Sequence, residues 1–179
     1  MPWAAPRTWV TGELVTSTIM NAHVRDELVA LRDSAPAVTV YRNSNLSLTN
    51  NTETVVTWSA AADDNDVMWA GGAPTRLTCK TAGLFLGTSG VWFAANATGQ
   101  RYGYLRKNGS GGVGNAGIKS AIRGANAAAA STTLELPFFV QLAVNDYIEL
   151  IVYQDSGGAL NVIGVGVEST SLSLLRVGA

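Results

Sequence analysis

The chain is poor in the side chains from which most catalytic and metal sites are built. It has one cysteine, Cys79, and one histidine, His23. A single cysteine cannot close a disulfide within the chain, so no disulfide framework holds the fold. A single histidine removes most nucleophile–base arrangements, and no C-x-x-C, H-x-x-x-H or P-loop pattern is present. The expectation is a non-enzyme without cofactor or metal. Charge is scarce too, at 14% of residues with a net charge of −1, against about 25% in ordinary soluble domains. Without a basic run there is no phosphate-tracking groove for nucleic acid and no polybasic membrane patch. No apolar run is long enough to span a bilayer. The opening M-P-W-A-A-P-R-T-W lacks the basic-then-apolar order of a secretory signal, which points to synthesis in a cytoplasm.

What is abundant is apolar surface, at 47% of residues. Solubility must then come from Ser, Thr, Asn, Gln and Gly, a composition suited to a chain with much of its surface in subunit contacts. The 179 residues divide into an arm with a helix (1–35) and a β domain (36–179). Pro2 and Pro6 forbid a regular helix at the start of the arm. Trp3 and Trp9 need burial, either on their own domain or on a partner. Ser17–Asp33 reads as a helix that Thr16, Ser17 or Thr18 can cap. Met20, Val24, Leu28 and Leu31 form its apolar stripe, with Ile19 at the edge, and Ala35-Pro36 ends it. At about 25 Å long this helix is marginal alone and must pack on the β domain, on its own copies or on another surface. His23, three and four residues before Asp26 and Glu27, reads as a solvated pair.

From Val38 onward the pattern is all β. Strands are expected at 38–42, 54–58, 76–80, 84–94, 101–107, 118–122, 132–142, 146–154, 159–167 and 171–177, separated by Gly, Asn and Asp turn signals. Val91–Gly109 reads as two strands joined by a hairpin turn and closed by Asn108-Gly109. Leu134, Leu136 and Phe138 alternate with outward residues. In 146–154, Ile148, Leu150 and Val152 share one face and Tyr147, Ile151 and Tyr153 the other. That second face is apolar, as in a strand covered on both sides, for example at a subunit interface. Many short strands with few helices point to a sandwich or jelly roll. Cys79 reads as a small buried strand residue. Gly109–Ala130 reads as loops around one short strand. The run Asp63-Asp64-Asn65-Asp66 is either a polar turn or, since clustered carboxylates gain from a hard cation, a Ca²⁺ contact lacking the EF-hand spacing.

Several segments carry a resemblance. A-P-T-R-L-T-C-K-T-A-G-L-F at 73–85, V-W-F-A-A-N-A-T-G-Q-R at 91–101, R-K-N-G at 106–109, N-D-Y-I-E-L-I-V-Y-Q at 145–154 and T-S-L-S-L-L-R-V at 170–177 together resemble the jelly-roll family of tumour necrosis factor and complement globular heads, in its bacteriophage virion branch. The chain departs mildly from that pattern at Asn145-Asp146, where Gly-Asp is usual, and at Phe85, where Tyr is usual. The arm segment T-W-V-T-G-E-L-V-T-S-T-I-M-N-A-H-V-R-D-E-L at 8–28 resembles an N-terminal segment of phage structural proteins. The resemblance implies an antiparallel jelly-roll sandwich that assembles as a homotrimer within a virion. Two roles follow. One is a capsid decoration or head-fibre protein, anchored on the major capsid protein or other virion proteins by Trp3, Trp9, Leu14, Ile19, Met20, Val24, Leu28 and Leu31, with Tyr147, Ile151 and Tyr153 at the trimer interface. The other is a tail-fibre or baseplate tip recognising a host surface glycan or protein through loops 109–130 and 155–159, with Tyr102, Tyr104 or Tyr153 as stacking platforms.

Overall fold

A computed structural model describes residues 7–26, 28–29, 35–110, 118–124, 131–166 and 169–178. Trp3, Leu31 and most of the 109–130 loops lie outside these residues. The arm opens with a turn in which Glu13 N–H donates to Val10 O at 3.1 Å and Glu13 is ion-paired with Arg7. Helix α1 follows at Ser17–Met20, capped by Thr16, whose hydroxyl accepts from Ile19 N–H. It continues as a π turn at Asn21–Arg25, in which Asp26 N–H reaches Asn21 O. Leu28 and Val29 are also helical.

Among the described residues, twelve strands make two sheets. The first contains β1 (Ala37–Tyr41), β2 (Leu46–Leu48), β4 (Ala60–Ala62), β6 (Gly83–Phe93), β9 (Thr132–Leu142), β11 (Leu160–Val162) and β12 (Ser171–Gly178), in the order β2-β11-β6-β12-β1-β4, with β9 also paired to β6. The second contains β3 (Thr54–Val55), β5 (Leu77–Thr78), β7 (Gln100–Lys107), β8 (Lys119–Gly124) and β10 (Tyr147–Gln154), in the order β3-β10-β7-β8, with β5 also on β10. Every pairing is antiparallel. The expected antiparallel sandwich with one short helix is the fold observed.

The core lies between the sheets and follows period-two alternation. Phe85, Val91, Phe93, Leu134, Leu136 and Leu142 from the first sheet meet Leu77, Leu105, Ile148, Leu150 and Val152 from the second, all fully buried. Gly87 lies opposite Phe138, and a Cβ there would land in the ring. Pro137, which has no N–H to give a ladder, sits in β9, bonded along one side only within its sheet.

Three expectations change. Strands β6 and β7 are not a hairpin: β6 pairs with β9, β11 and β12, and β7 with β8 and β10, so 94–99 carries the chain from one sheet to the other. Arg101 fastens that crossing, since its buried guanidinium donates to the carbonyls of Thr98 and Gln100 at 2.9 Å and of Asn96 at 3.4 Å. Gly99 holds a left-handed φ of 75° there, with Asp155 against it. Secondly, the strands expected at 54–58, 76–80 and 159–167 keep two or three ladder-paired residues each among the described ones, and their flanks make single backbone bonds instead, such as Val56 N–H to Leu150 O at 2.9 Å, Trp58 N–H to Pro74 O at 2.8 Å and Ile163 N–H to Trp92 O at 2.7 Å. Thirdly, β2 and β4 appear where none was expected. The Asn108-Gly109 turn is as expected: both residues have positive φ, 55° and 70°, and Ser110 N–H closes on Lys107 O. Cys79 is fully buried, and burial pushes its thiol pKa up, which suits an inert core residue.

Candidate assembly face

The two sheets turn very different faces outward. The strands of the first sheet carry two charged side chains, Glu135 and Arg176, whereas those of the second carry Arg101, Arg106, Lys107, Lys119, Arg123 and Glu149. Pairing register shows how the first face is laid out. Phe139 lies opposite Leu86, Leu86 opposite Leu175, and Leu175 opposite Ala37, so one apolar row crosses β9, β6, β12 and β1. Phe139 is 64% exposed, Leu175 43% and Leu86 39%. The neighbouring row is Pro137, Thr88, Ser173 and Thr39, uncharged and partly exposed. The next is Glu135, Gly90, Ser171 and Tyr41, with the Trp92 ring lying over Gly90. A groove of about 370 Å³ runs between these rows, lined by Leu86, Thr88, Pro137, Ser173 and Leu175, with Asp63 also on its wall. Val177, further along β12, is 49% exposed.

The outward face of the second sheet is closed by its own chain. Tyr102 stacks on Tyr153 at 4.4 Å between centroids and 11° between planes, with Tyr104 at 6.4 Å on the other side. The Tyr102 and Tyr104 hydroxyls donate to the two oxygens of Glu53, each at 2.9 Å, and that of Tyr153 to Asn51 Oδ1 at 2.9 Å. Burial, then the Glu53 carboxylate, pushes the Tyr104 pKa up to about 12 and raises that of Tyr102 as well. Further along, Glu149 is 3% exposed and pairs with Arg106 Nε at 2.9 Å and Arg76 Nε at 3.2 Å. Arg76 also lies 4.2 Å from the centroid of Tyr147.

This arrangement bears directly on the residues expected at an interface. Tyr147, Ile151 and Tyr153 do share the outward face of β10. Ile151, however, is 1% exposed within one chain, and both tyrosines already have partners in it. Their apolar pattern has a cause inside the chain, so it is no sign of a neighbour. The interface candidates that the sequence reading missed are Leu86, Pro137, Phe139, Leu175 and Val177. Their one sequence signal is the near absence of charge at outward positions of β6, β9 and β12.

The arm residues stand in the open. Trp9, Leu14, Met20, Val24 and Leu28 are 47%, 79%, 43%, 37% and 60% exposed, and Ile19 is half-buried. Neither α1 nor the π turn contains a buried residue. Asp26 pairs with its neighbour Arg25 rather than with His23. Residues 63–69 form a polar turn in which Asp64 accepts from Met68 N–H at 2.7 Å and Trp69 N–H at 2.9 Å, and Asp66 from the Thr81 hydroxyl at 3.1 Å. Among the described residues no group of three or more His, Cys, Asp or Glu side chains is placed to hold a metal ion, and no helix is long and apolar enough to cross a membrane.

No family model and no curated protein matches the chain. Solved structures do. Murine APRIL is similar with a TM-score of 0.54 at 15% identity, covering 79% of this chain and 98% of that one. The Eiger TNF of S. frugiperda gives 0.56 at 10% identity, over 80% and 93%. The globular domain of zebrafish complement 1qA gives 0.53 at 14% identity, over 79% and 97%. At such identities the likeness reaches the fold and not the virion part of the sequence resemblance. The chain thus shares the jelly-roll fold of tumour necrosis factor ligands and complement globular heads.

Proposed function

We propose that this protein is a non-enzymatic assembly module: a homotrimer of jelly rolls joined through the outward face of the first sheet, with the N-terminal arm anchoring it to a larger structure. The observation that carries the reading is the face itself, whose Phe139–Leu86–Leu175–Ala37 row is apolar and whose strands carry only Glu135 and Arg176 as charges. A face so poor in charge needs no partner of opposite sign, so copies of itself can cover it with little like-charge repulsion, and depletion of charge marks the centres of protein interfaces. The larger structure in this reading is a virion, and the role capsid decoration or a head fibre. That part rests on the resemblance of 8–28 and of the head segments to phage structural proteins. Trivalent attachment then multiplies a modest arm affinity by avidity.

Native mass measurement tests the trimer: three copies per particle is the expected result, and a monomer at micromolar concentration overturns it. Co-sedimentation with purified capsids and with host bacteria tests the role. Capsid binding lost on removal of residues 1–34 supports decoration. A tail-tip reading that recognises a host glycan draws on the half-exposed Tyr102–Tyr153 stack, and its expected result is cell binding retained by the head alone.

A further inference from the structure

We propose that the arm helices of neighbouring copies pack on one another along the Met20–Val24–Leu28 stripe, so that the described arm keeps only residues 7–16 for gripping an outside partner. This rests on the reading that copies join through the first sheet, and divides the arm into a self-associating part and an anchoring part.

The first argument is the line of the stripe. In an α-helix each residue turns about 100°, so side chains four apart over-rotate by about 40° and a row of them drifts round the surface. Here the π turn intervenes between Met20 and Val24. Its i→i+5 bond, Asp26 N–H to Asn21 O, widens the turn, so a spacing of four there stops short of a full turn and offsets the α-helical over-rotation. Met20, Val24 and Leu28 are thereby kept in a narrow line. A narrow line is the seam one helix offers another, whereas a helix lying on a globular core shows an apolar band at least about 100° wide. The described off-line residues between Met20 and Leu28, namely Asn21, Ala22, His23, Arg25 and Asp26, are polar or small, and Arg25 and Asp26 pair with each other. Single π turns inside α-helices recur at functional positions.

The second argument is where the arm is rooted. Asn65 holds the root from three sides: its Oδ1 accepts from Ala37 N–H at 2.8 Å, its Nδ2 donates to Ala35 O at 3.0 Å, and its own N–H donates to Ala37 O at 3.3 Å. Arg176 N–H donates to Pro36 O at 2.8 Å, and Pro36 is buried. The turn that presents Asn65 is fixed by Asp64 and includes Val67 at a φ of 51°, a strained conformation for a β-branched residue. Ala37 ends the apolar row of the assembly face. The arm therefore leaves each domain from the face itself, and copies that meet there bring their roots together. The six residue-to-residue steps from Val29 to Ala35 reach at most about 20 Å, which holds the helices at the high effective concentration of a short tether. A lone helix of this length is marginal in water, and packing on its copies supplies what its own domain does not.

Cysteine cross-linking in the full-length protein tests this. Val24→Cys puts a thiol on the seam and Asn21→Cys puts one off it; Cys79 is buried and stays out of the reaction. After mild oxidation, Val24→Cys is expected to give disulfide-linked pairs, each with one unlinked chain left over in the trimer, while Asn21→Cys stays unlinked. A native trimer in which Val24→Cys stays unlinked, or in which both variants link equally, overturns the helix packing and leaves the sheet-face reading standing. A native monomer overturns both.

Discussion

Tyr102, Tyr104 and Tyr153 on the second sheet and Phe139, Leu86 and Leu175 on the first occupy equivalent situations, outward positions of long antiparallel strands in one sandwich. The tyrosines are stacked on one another and capped by Glu53 and Asn51 from a loop of the same chain. The other three have no loop over them among the described residues and stand 39–64% exposed. Both faces are apolar, so hydrophobicity alone does not tell them apart. What differs is polar closure. The second face has hydroxyls and carboxylates whose hydrogen bonds end within the chain, whereas the apolar row of the first has none, and its neighbouring row offers small hydroxyls such as Thr39 and Ser173, which bond each other at 2.9 Å. A face already satisfied gains little from a partner, whereas a bare apolar one gains about 25 cal/mol for each Å² covered.

The sharpest way to break the comparison is to place a charge on each face in turn. Leu175→Asp or Phe139→Asp sets a carboxylate in the middle of the proposed interface. Hot-spot losses of about 2 kcal/mol or more per contact are expected, enough to convert the trimer to monomer at micromolar concentration by sedimentation, with the melting temperature of the isolated domain little changed. Tyr153→Asp on the other face should do the reverse, lowering the melting temperature and leaving the native mass alone. If Leu175→Asp stays trimeric, the first face is not the interface.

The next effect concerns Glu149, which is buried between Arg76 and Arg106. Removing one partner of a buried ion pair costs about 3–5 kcal/mol, but Arg76 is close to half exposed, so solvent relieves part of that. Glu149→Ala should cost about 2–3 kcal/mol in urea unfolding and leave the mass unchanged. A variant that changes mass but not stability would give this face to assembly after all.

These two faces also mark how far the sequence can be read. Alternation alone identifies Ile148, Leu150 and Val152 as core, because period two is a local property. It shows equally that Tyr147, Ile151 and Tyr153 are covered, but not by what. The cover over Tyr102, Tyr104 and Tyr153 comes from Asn51 and Glu53, some 50 to 100 positions away, and a strand under a loop looks the same in one dimension as a strand under a neighbour. The Phe139–Leu86–Leu175–Ala37 row is less legible still, because only register joins four strands from opposite ends of the chain. The 91–107 segment misleads for the same reason: two adjacent strands read as a hairpin, yet each finds its partners elsewhere. Strands β2 and β4, Leu-Ser-Leu and Ala-Ala-Ala, are too short to carry any period. The arm stripe is legible as a pattern, while the π turn that straightens it is not.

A smaller effect separates the packing of the two sheets from either face. Asp146 accepts from Asn108 Nδ2 and Ala143 N–H, each at 2.7 Å, and pairs with Lys107 at 2.6 Å; Lys107 also donates to Gln141 O of β9 at 3.0 Å. This clasp ties the end of β9 in the first sheet to β7 and β10 in the second. The hydrogen bonds from Asn108, Lys107 and Ala143 lower the Asp146 pKa to about 2. The carboxylate is free to protonate near 3.8 when unfolded, so its contribution is complete above that pH and is lost as pH falls towards 2. Asp146→Asn should cost about 1–2 kcal/mol at pH 7 and flatten the fall in melting temperature between pH 4 and pH 2.

The mildest test lies at the alkaline end, on the satisfied face. Tyr104 ionises at about 10 when unfolded but only at about 12 in the folded chain, because burial and Glu53 both oppose a phenolate. Its neutral, hydrogen-bonded form therefore stabilises the fold fully below pH 10. Between pH 10 and 12 the unfolded chain releases a proton that the folded chain retains, so stability falls through that window. Tyr104→Phe removes one hydrogen bond to Glu53 and should cost about 1 kcal/mol at neutral pH. It also removes the titration, so its stability should decline less steeply than that of the unaltered protein from pH 10 to 12 in urea unfolding. Tyr102 titrates in the same direction and keeps part of the slope. Because Tyr102 and Tyr104 lie on the other sheet from the proposed interface, the trimer–monomer balance should stay level over the same window while the domain itself weakens. A parallel loss of assembly and stability with rising pH would mean that the two faces are coupled, and that the closed face of each domain supports the open one.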